Sequence, residues 1–204
     1  MGHHRVLFLV AAAIIMIAGL TEIASSTYRH SSIMALKSHS RPGIFGWLRP
    51  SQVPKGWKTV NTASGKATLA YPPPFHQIPG DPGSVSAAVI SSAGHYLAYL
   101  NVTPRQGDEG LKNWPQFRLN HLSQDDNISV HEVAEVSNIP FNGGSGTCVI
   151  DDYVTVVAHN HFREISCFVK GSKGGAVVVA TASRPMWVHY ASQLEGAVTS
   201  FKVT

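Results

Sequence analysis

The sequence predicts an α+β domain: one long antiparallel sheet with two helices packed on it, preceded by an apolar N-terminal segment. Three observations carry this. Runs dense in β-branched residues, such as Tyr153-Val154-Thr155-Val156-Val157 and Val177-Val178-Val179, suit pleated, half-buried strands. Two segments instead place apolar residues at three- and four-residue steps, as a helix face requires. They are Leu111, Trp114, Phe117 and Leu122, then Trp187, Ala191, Leu194, Val198 and Phe201. The third observation is an uncharged apolar run from Val6 to Leu20 at the N-terminus.

That run follows a short polar start, Met1 to Arg5, and reads as a signal peptide or signal anchor over residues 1–24. Its hydrophobic length suits a signal peptide, but Glu22 and Ile23 spoil the small-x-small pattern of a cleavage site. A bilayer-spanning helix needs roughly 20 residues. Counting through Thr21, Ile23 and Ala24 approaches that length and leaves Glu22 near an interface. Arg5 before the run and Arg29 and Lys37 after it pull the orientation in opposite directions. The expectation is a single-pass cell-membrane protein with its C-terminal domain extracytoplasmic, or a secreted one if the leader is removed.

Residues 25–52 read as a basic flexible linker, punctuated by Ser, His, Gly and Pro. Ile44-Phe45 and Trp47-Leu48 interrupt it, and either dock back onto the domain, the preferred reading, or sit in the lipid interface. The chain carries a formal net charge of +4, unevenly distributed. Up to Lys58 the only acid is Glu22, whereas from Val60 onward acids slightly outnumber Lys and Arg. The excess basicity therefore belongs to the tether. A basic juxtamembrane arm is drawn to anionic lipid, and a nucleic-acid partner, which needs a basic folded module, is not expected.

Residues 53–204 are long enough for one domain with a real core. Strands are expected at Trp57–Val60 and Ala67–Tyr71, the second closed by Pro72-Pro73-Pro74. Val85–Ser91 and Tyr96–Val102 follow, around a turn at Ala93-Gly94. A helix begins near Trp114, with Pro115 in its first turn and Asn113 as cap, and stops before Asp125-Asp126-Asn127. Strands return at Ile128–Val136, Thr147–Ala158, Phe162–Lys170 and Ala176–Thr181, with turns at Asn160 and Gly171–Gly175. Ser183 and Pro185 mark the start of the last helix. Read from the residues, both helices cover one face of the sheet.

The strand ending in Tyr71-Pro72-Pro73, the helix bearing Trp114, the long-stranded meander, Val-Val-Val-Ala-Thr-Ala at Val177–Ala182 and the helix running into Ser200-Phe201 resemble the PsbP-like fold. That superfamily includes the extrinsic photosystem protein PsbP, a Ran-binding nuclear protein and secreted bacterial proteins. The resemblance covers Trp57 to Val203. It implies an α/β/α three-layer sandwich and a non-enzymatic binding or assembly role, and it transfers no catalytic residue.

Candidate chemistry is sparse. Cys148 and Cys167 suggest a disulfide in an exported chain. A turn near Asn160, however, sets Cys167 opposite Asp152 or Tyr153, beyond bridging distance of Cys148. The bond then needs a bulge or bend near Gly143–Gly146, and two buried free thiols are the other reading. His159 and His161, with those cysteines, match no structural zinc spacing and read as exposed turn residues. Gly143-Gly144-Ser145-Gly146-Thr147 lacks the final glycine of a nucleophile elbow and the lysine of a phosphate loop. Asp151 and Asp152 are adjacent, so on a strand they face opposite ways, with Arg163 a cross-strand partner for one.

The sequence therefore points to a membrane-tethered extracytoplasmic binding or scaffolding domain with a protein or envelope partner, no catalytic or metal-binding residue and no cofactor. The alternative is an exported hydrolase. It requires a deep polar pocket that gathers His131, His159 or His161 with Asp151 or Glu164.

Overall fold

The computed structural model describes residues 43–125 and 127–204. The expected signal or anchor segment and most of the expected linker lie outside the described residues. Among the described residues, no helix is long and apolar enough to cross a membrane.

Ten strands and two helices follow in order: β1 (Lys58–Asn61), β2 (Ala67–Tyr71), β3 (His76–Ile78), β4 (Val85–Ile90), β5 (Tyr96–Pro104), α1 (Trp114–Gln124), β6 (Asn127–Phe141), β7 (Gly144–Thr155), β8 (His161–Gly171), β9 (Gly174–Ser183), α2 (Trp187–Ser200) and β10 (Lys202–Val203). A single 3₁₀ turn, Arg184–Met186, leads into α2. Seven strands form one antiparallel sheet in the order β3-β4-β5-β9-β8-β7-β6, and β1-β2-β10 form a second, smaller one. Most of the connections in the large sheet are hairpins, so the meander expected from the β-branched runs is present.

The two helices lie on opposite faces of the large sheet, which corrects the one-faced arrangement read from the residues. Strand alternation makes this possible because each face carries buried apolar residues for a helix to cover. On one face Cys148, Ile150, Ile165, Val178, Ala180 and Leu100 pack against Leu194 and Val198 of α2 and Leu69 of β2. On the other, Val149, Phe168, Val177 and Val179 pack against Trp114 and Phe117 of α1. The result is a layered α+β domain.

Pro115 occupies the first turn of α1, where its missing N–H costs nothing. Asn113 holds the cap position, but its side chain donates to the Asp108 carbonyl (3.0 Å) and makes no side-chain cap hydrogen bond. Residues 43–52 are docked: Phe45 and Leu48 are buried in the main core. The Ser51 N–H donates to the Thr199 carbonyl (2.9 Å), and Asn142 Nδ2 donates to the Ser51 carbonyl (2.9 Å).

The β7–β8 turn differs from expectation. Thr155 and Asn160 close the hairpin, with the Thr155 N–H on the Asn160 carbonyl (3.0 Å), so its tip is Val156–His159. Ala158 and His159 adopt φ of 71° and 50° there, and Val157 is 84% exposed. Valines that read as strand are loop residues. The whole register moves with them: Cys148 stands directly opposite Cys167, with Cα atoms 4.0 Å apart, and the two are disulfide-bonded. No bulge is needed.

Candidate functional site

Antiparallel register places directly opposed residues on one face. A single row crosses the large sheet under α1: Tyr99 opposite Thr181, Thr181 opposite Glu164, Glu164 opposite Asp151 and Asp151 opposite Glu132. Polar residues thus occupy the middle of this face, while the next row sets Val149 and Val179 on either side of Ser166. Helix α1 supplies the counter-charge. Arg118 lies one turn after Trp114, on the buried stripe, and its guanidinium grips Glu164 through Nε–Oε1 (2.6 Å) and Nη2–Oε2 (2.8 Å). Glu164 is 1% exposed. Burial works to lower the Arg118 pKa, but the charge and hydrogen bonds of Glu164 outweigh it and hold the group firmly protonated.

Asp151 has no such partner. It is 0% exposed, and neither carboxylate oxygen has a hydrogen-bond partner. Burial first, and the neighbouring Glu164 charge second, push its pKa up to about 9, against a smaller opposing pull from Arg118. The carboxyl is therefore neutral at pH 7. Burial and the Glu164 charge likewise raise Tyr153.

Beside this cluster, where α1 stops covering the sheet, a cleft of about 470 Å³ opens over β5 and β9. Its floor is Tyr99, Asn101 and Thr103 of β5, tied by a chain of side-chain hydrogen bonds to Ser84 and Ser86. Ser84 Oγ donates to Thr103 Oγ1 (3.1 Å), Thr103 Oγ1 to Asn101 Oδ1 (2.6 Å) and Asn101 Nδ2 to Ser86 Oγ (2.9 Å). Tyr99 OH lies 3.1 Å from the same Ser86 Oγ. The opposite wall is aromatic: Phe117 stacks on Trp114 at 6.0 Å and on His121 at 6.4 Å. Trp114 is fixed by its indole N–H, which donates to the Ser166 carbonyl (3.0 Å). The rim loop is held by Glu109, whose carboxylate accepts the N–H groups of Gln106 (2.5 Å) and Gly107 (2.7 Å). An apolar wall facing a preformed polar floor can recognise a ligand. Glu164 is engaged by Arg118.

Of the sequence-predicted candidates, Asp151 and Glu164 lie in this cluster and the others lie elsewhere. Cys148 and Cys167 form the disulfide in the α2-side core. His131 pairs in register with Asp152, and His161 with Val154, so both belong to the face opposite Asp151 and Glu164. His159 is at the hairpin tip, and it shares an open groove of about 650 Å³ with His95, His161 and Arg184 at that end of the sheet. Among the described residues no group of three metal-ligating side chains comes together. Asp152 meets Arg163 in a bidentate pair (both 2.8 Å), with Arg184 at 3.7 Å. Gly143 is the hairpin turn (φ 85°), whereas Gly144–Gly146 belong to β7. The sequence reading missed Arg118, Tyr99, Asn101 and Glu109. The Trp114–Arg118 spacing, with Glu164 on a strand of apolar neighbours, was the usable signal for the first.

No family profile and no curated protein sequence matches the chain. Solved structures do. PsbP of the cyanobacterium Synechocystis (CyanoP) is 13% identical, with 73% of this chain and 93% of that one covered and a TM-score of 0.50. A Pseudomonas aeruginosa protein of unknown function is 9% identical, covering 71% and 94%, at a TM-score of 0.42. LpqN of Mycobacterium tuberculosis, involved in cell envelope biogenesis, is 14% identical, covering 74% and 80%, at a TM-score of 0.38. The chain has a PsbP-like fold.

Proposed function

We propose that this chain is a membrane-tethered extracytoplasmic domain that binds a partner and catalyses nothing, with the α1-side cleft as its binding surface. The observation that carries the reading is the cleft itself, where the Trp114–Phe117–His121 stack faces the hydrogen-bonded row of Tyr99, Asn101 and Thr103. The Cys148–Cys167 disulfide supports an oxidising compartment. The apolar run Val6–Leu20 supports export and tethering. The register weighs against the hydrolase alternative, since His131 and His161 sit on the face opposite Asp151 and Glu164.

Site-specific photo-cross-linking in cells tests the reading. A benzophenone amino acid at Gln106, on the cleft rim, is expected to trap a discrete adduct. The same group at exposed Ser123, on α1 outside the cleft, is expected to trap none. Equal labelling from both positions, or none from Gln106, contradicts it.

A further inference from the structure

The acid excess of the folded domain conceals a segregation of its cations. Arg118, Arg163 and Arg184 are ion-paired with Glu164 or Asp152. Among the described residues from Val60 onward, six others meet no carboxylate in an ion pair, and four of these cluster. Lys66 in the β1–β2 turn, Arg105 after β5, Lys112 before α1 and Lys170 near the end of β8 line one open groove of about 580 Å³. No acidic residue lines it. All four side chains are exposed.

The groove is built by the hairpin beneath it. Gly175 has no side chain, and a Cβ there would lie 2.5 Å from the Phe168 ring, so its absence lets the ring rest on the β8–β9 turn. The Lys66 stem crosses Gly174, its Cδ 4.0 Å from where a Cβ would stand. Phe168 and Leu111 supply an apolar wall under the cationic rim. Four like charges held together without a counter-ion repel one another, and an anion relieves that repulsion. An anion with an apolar portion suits both the rim and the wall.

Position names the source. The Lys66 carbonyl accepts the Thr204 N–H (3.0 Å), and the Lys173 N–H donates to the Thr204 carbonyl (2.9 Å), so the groove lies at the β10 end of the sheets. Asn142 bridges to Lys202 at this same end and holds Ser51 of the docked N-terminal strap, residues 43–52. The sequence ahead of that strap is basic, with Arg29, Lys37 and Arg41, and follows the apolar run. Groove and arm carry the same charge and are attracted to one kind of surface.

We propose that this groove takes the phosphate headgroup of an anionic membrane lipid, with the cations on the phosphate and Phe168 and Leu111 beside the first acyl carbons. The choice of a lipid rests on the tethered reading; the cleft at Tyr99 and Phe117 is not involved. The test uses the full chain in non-ionic detergent, titrated with dihexanoyl-phosphatidylglycerol, dihexanoyl-phosphatidylcholine or inorganic phosphate while amide shifts are followed. Saturable shifts at Gly110, Gly174 and Gly175 are expected with phosphatidylglycerol, at least tenfold tighter than with either other probe and weakened by salt. Lys66→Ala with Lys170→Ala is expected to weaken binding about thirtyfold, with shifts elsewhere unchanged because both side chains are exposed. Binding of phosphatidylcholine as tight as that of phosphatidylglycerol, of inorganic phosphate as tight as either lipid, or no shift at all overturns the proposal. An adduct at Gln106 that survives such a failure leaves the cleft reading standing, and loss of that adduct alone leaves the groove standing.

Discussion

Replacing Asp151 with Asn should change how stability depends on pH more than it changes the fold. Asp151 is fully buried, unpartnered and neutral at pH 7 because its pKa is pushed up to about 9. In the unfolded chain the same carboxyl ionises near its ordinary value of about 3.9. Between those two values the folded state holds a proton that the unfolded state has released. Stability from this group is therefore fully present below about pH 4 and falls as pH rises, by about 1.4 kcal/mol per unit. From pH 4 to pH 7 the loss is about 4 kcal/mol. Asparagine has the same shape and no proton to lose. Asp151→Asn should match the parent near pH 4 and exceed it by about 4 kcal/mol at pH 7. Urea unfolding of the disulfide-intact chain at half-unit steps, followed by tryptophan fluorescence, reads this directly. A stability difference that does not vary with pH would show that Asp151 is ionised in the folded protein, and would refute the reasoning.

Other outcomes follow from the same contacts. Arg118→Met strands Glu164 as an unpaired buried charge and should cost about 3–5 kcal/mol in urea unfolding, most of it regained when Glu164→Leu is added. Cys148→Ala with Cys167→Ala opens a cross-link between positions 19 residues apart and should lower stability by about 3 kcal/mol. Gly143→Ala forces a left-handed residue and drives its Cβ into the Val203 carbonyl, so a loss of at least about 2 kcal/mol is expected in the same assay.

Elements were legible where a local pattern decided them. The β-branched core of β9, the Asn113–Pro115 start of α1 and the periodic face of α2 fall where the sequence placed them. The docking of Phe45 and Leu48 was also readable, because an apolar pair in a polar stretch seeks cover. Features fixed by long-range pairing were not. Val156 and Val157 have strand propensity but sit in a loop, because closure between Thr155 and Asn160 sets the turn. That shift of the turn away from Asn160 made the disulfide look strained when its cysteines are directly opposed. Helices on opposite faces could not be read from α1 and α2 alone, since each shows an apolar stripe and neither stripe says which side of the sheet it covers. The cleft was illegible for a related reason. Its floor joins β4 and β5 to a helix whose Arg118 is 46 residues from Glu164, and no local motif announces that meeting.

The thiol state of the native protein tests the central claim, residence outside the cytosol, most directly. Intact cells are quenched in acid, and the chain is alkylated under denaturing conditions with a mass-shifting maleimide. An exported domain with Cys148 bonded to Cys167 takes up no label until reductant is added. Two labelled cysteines in unreduced material would contradict the account.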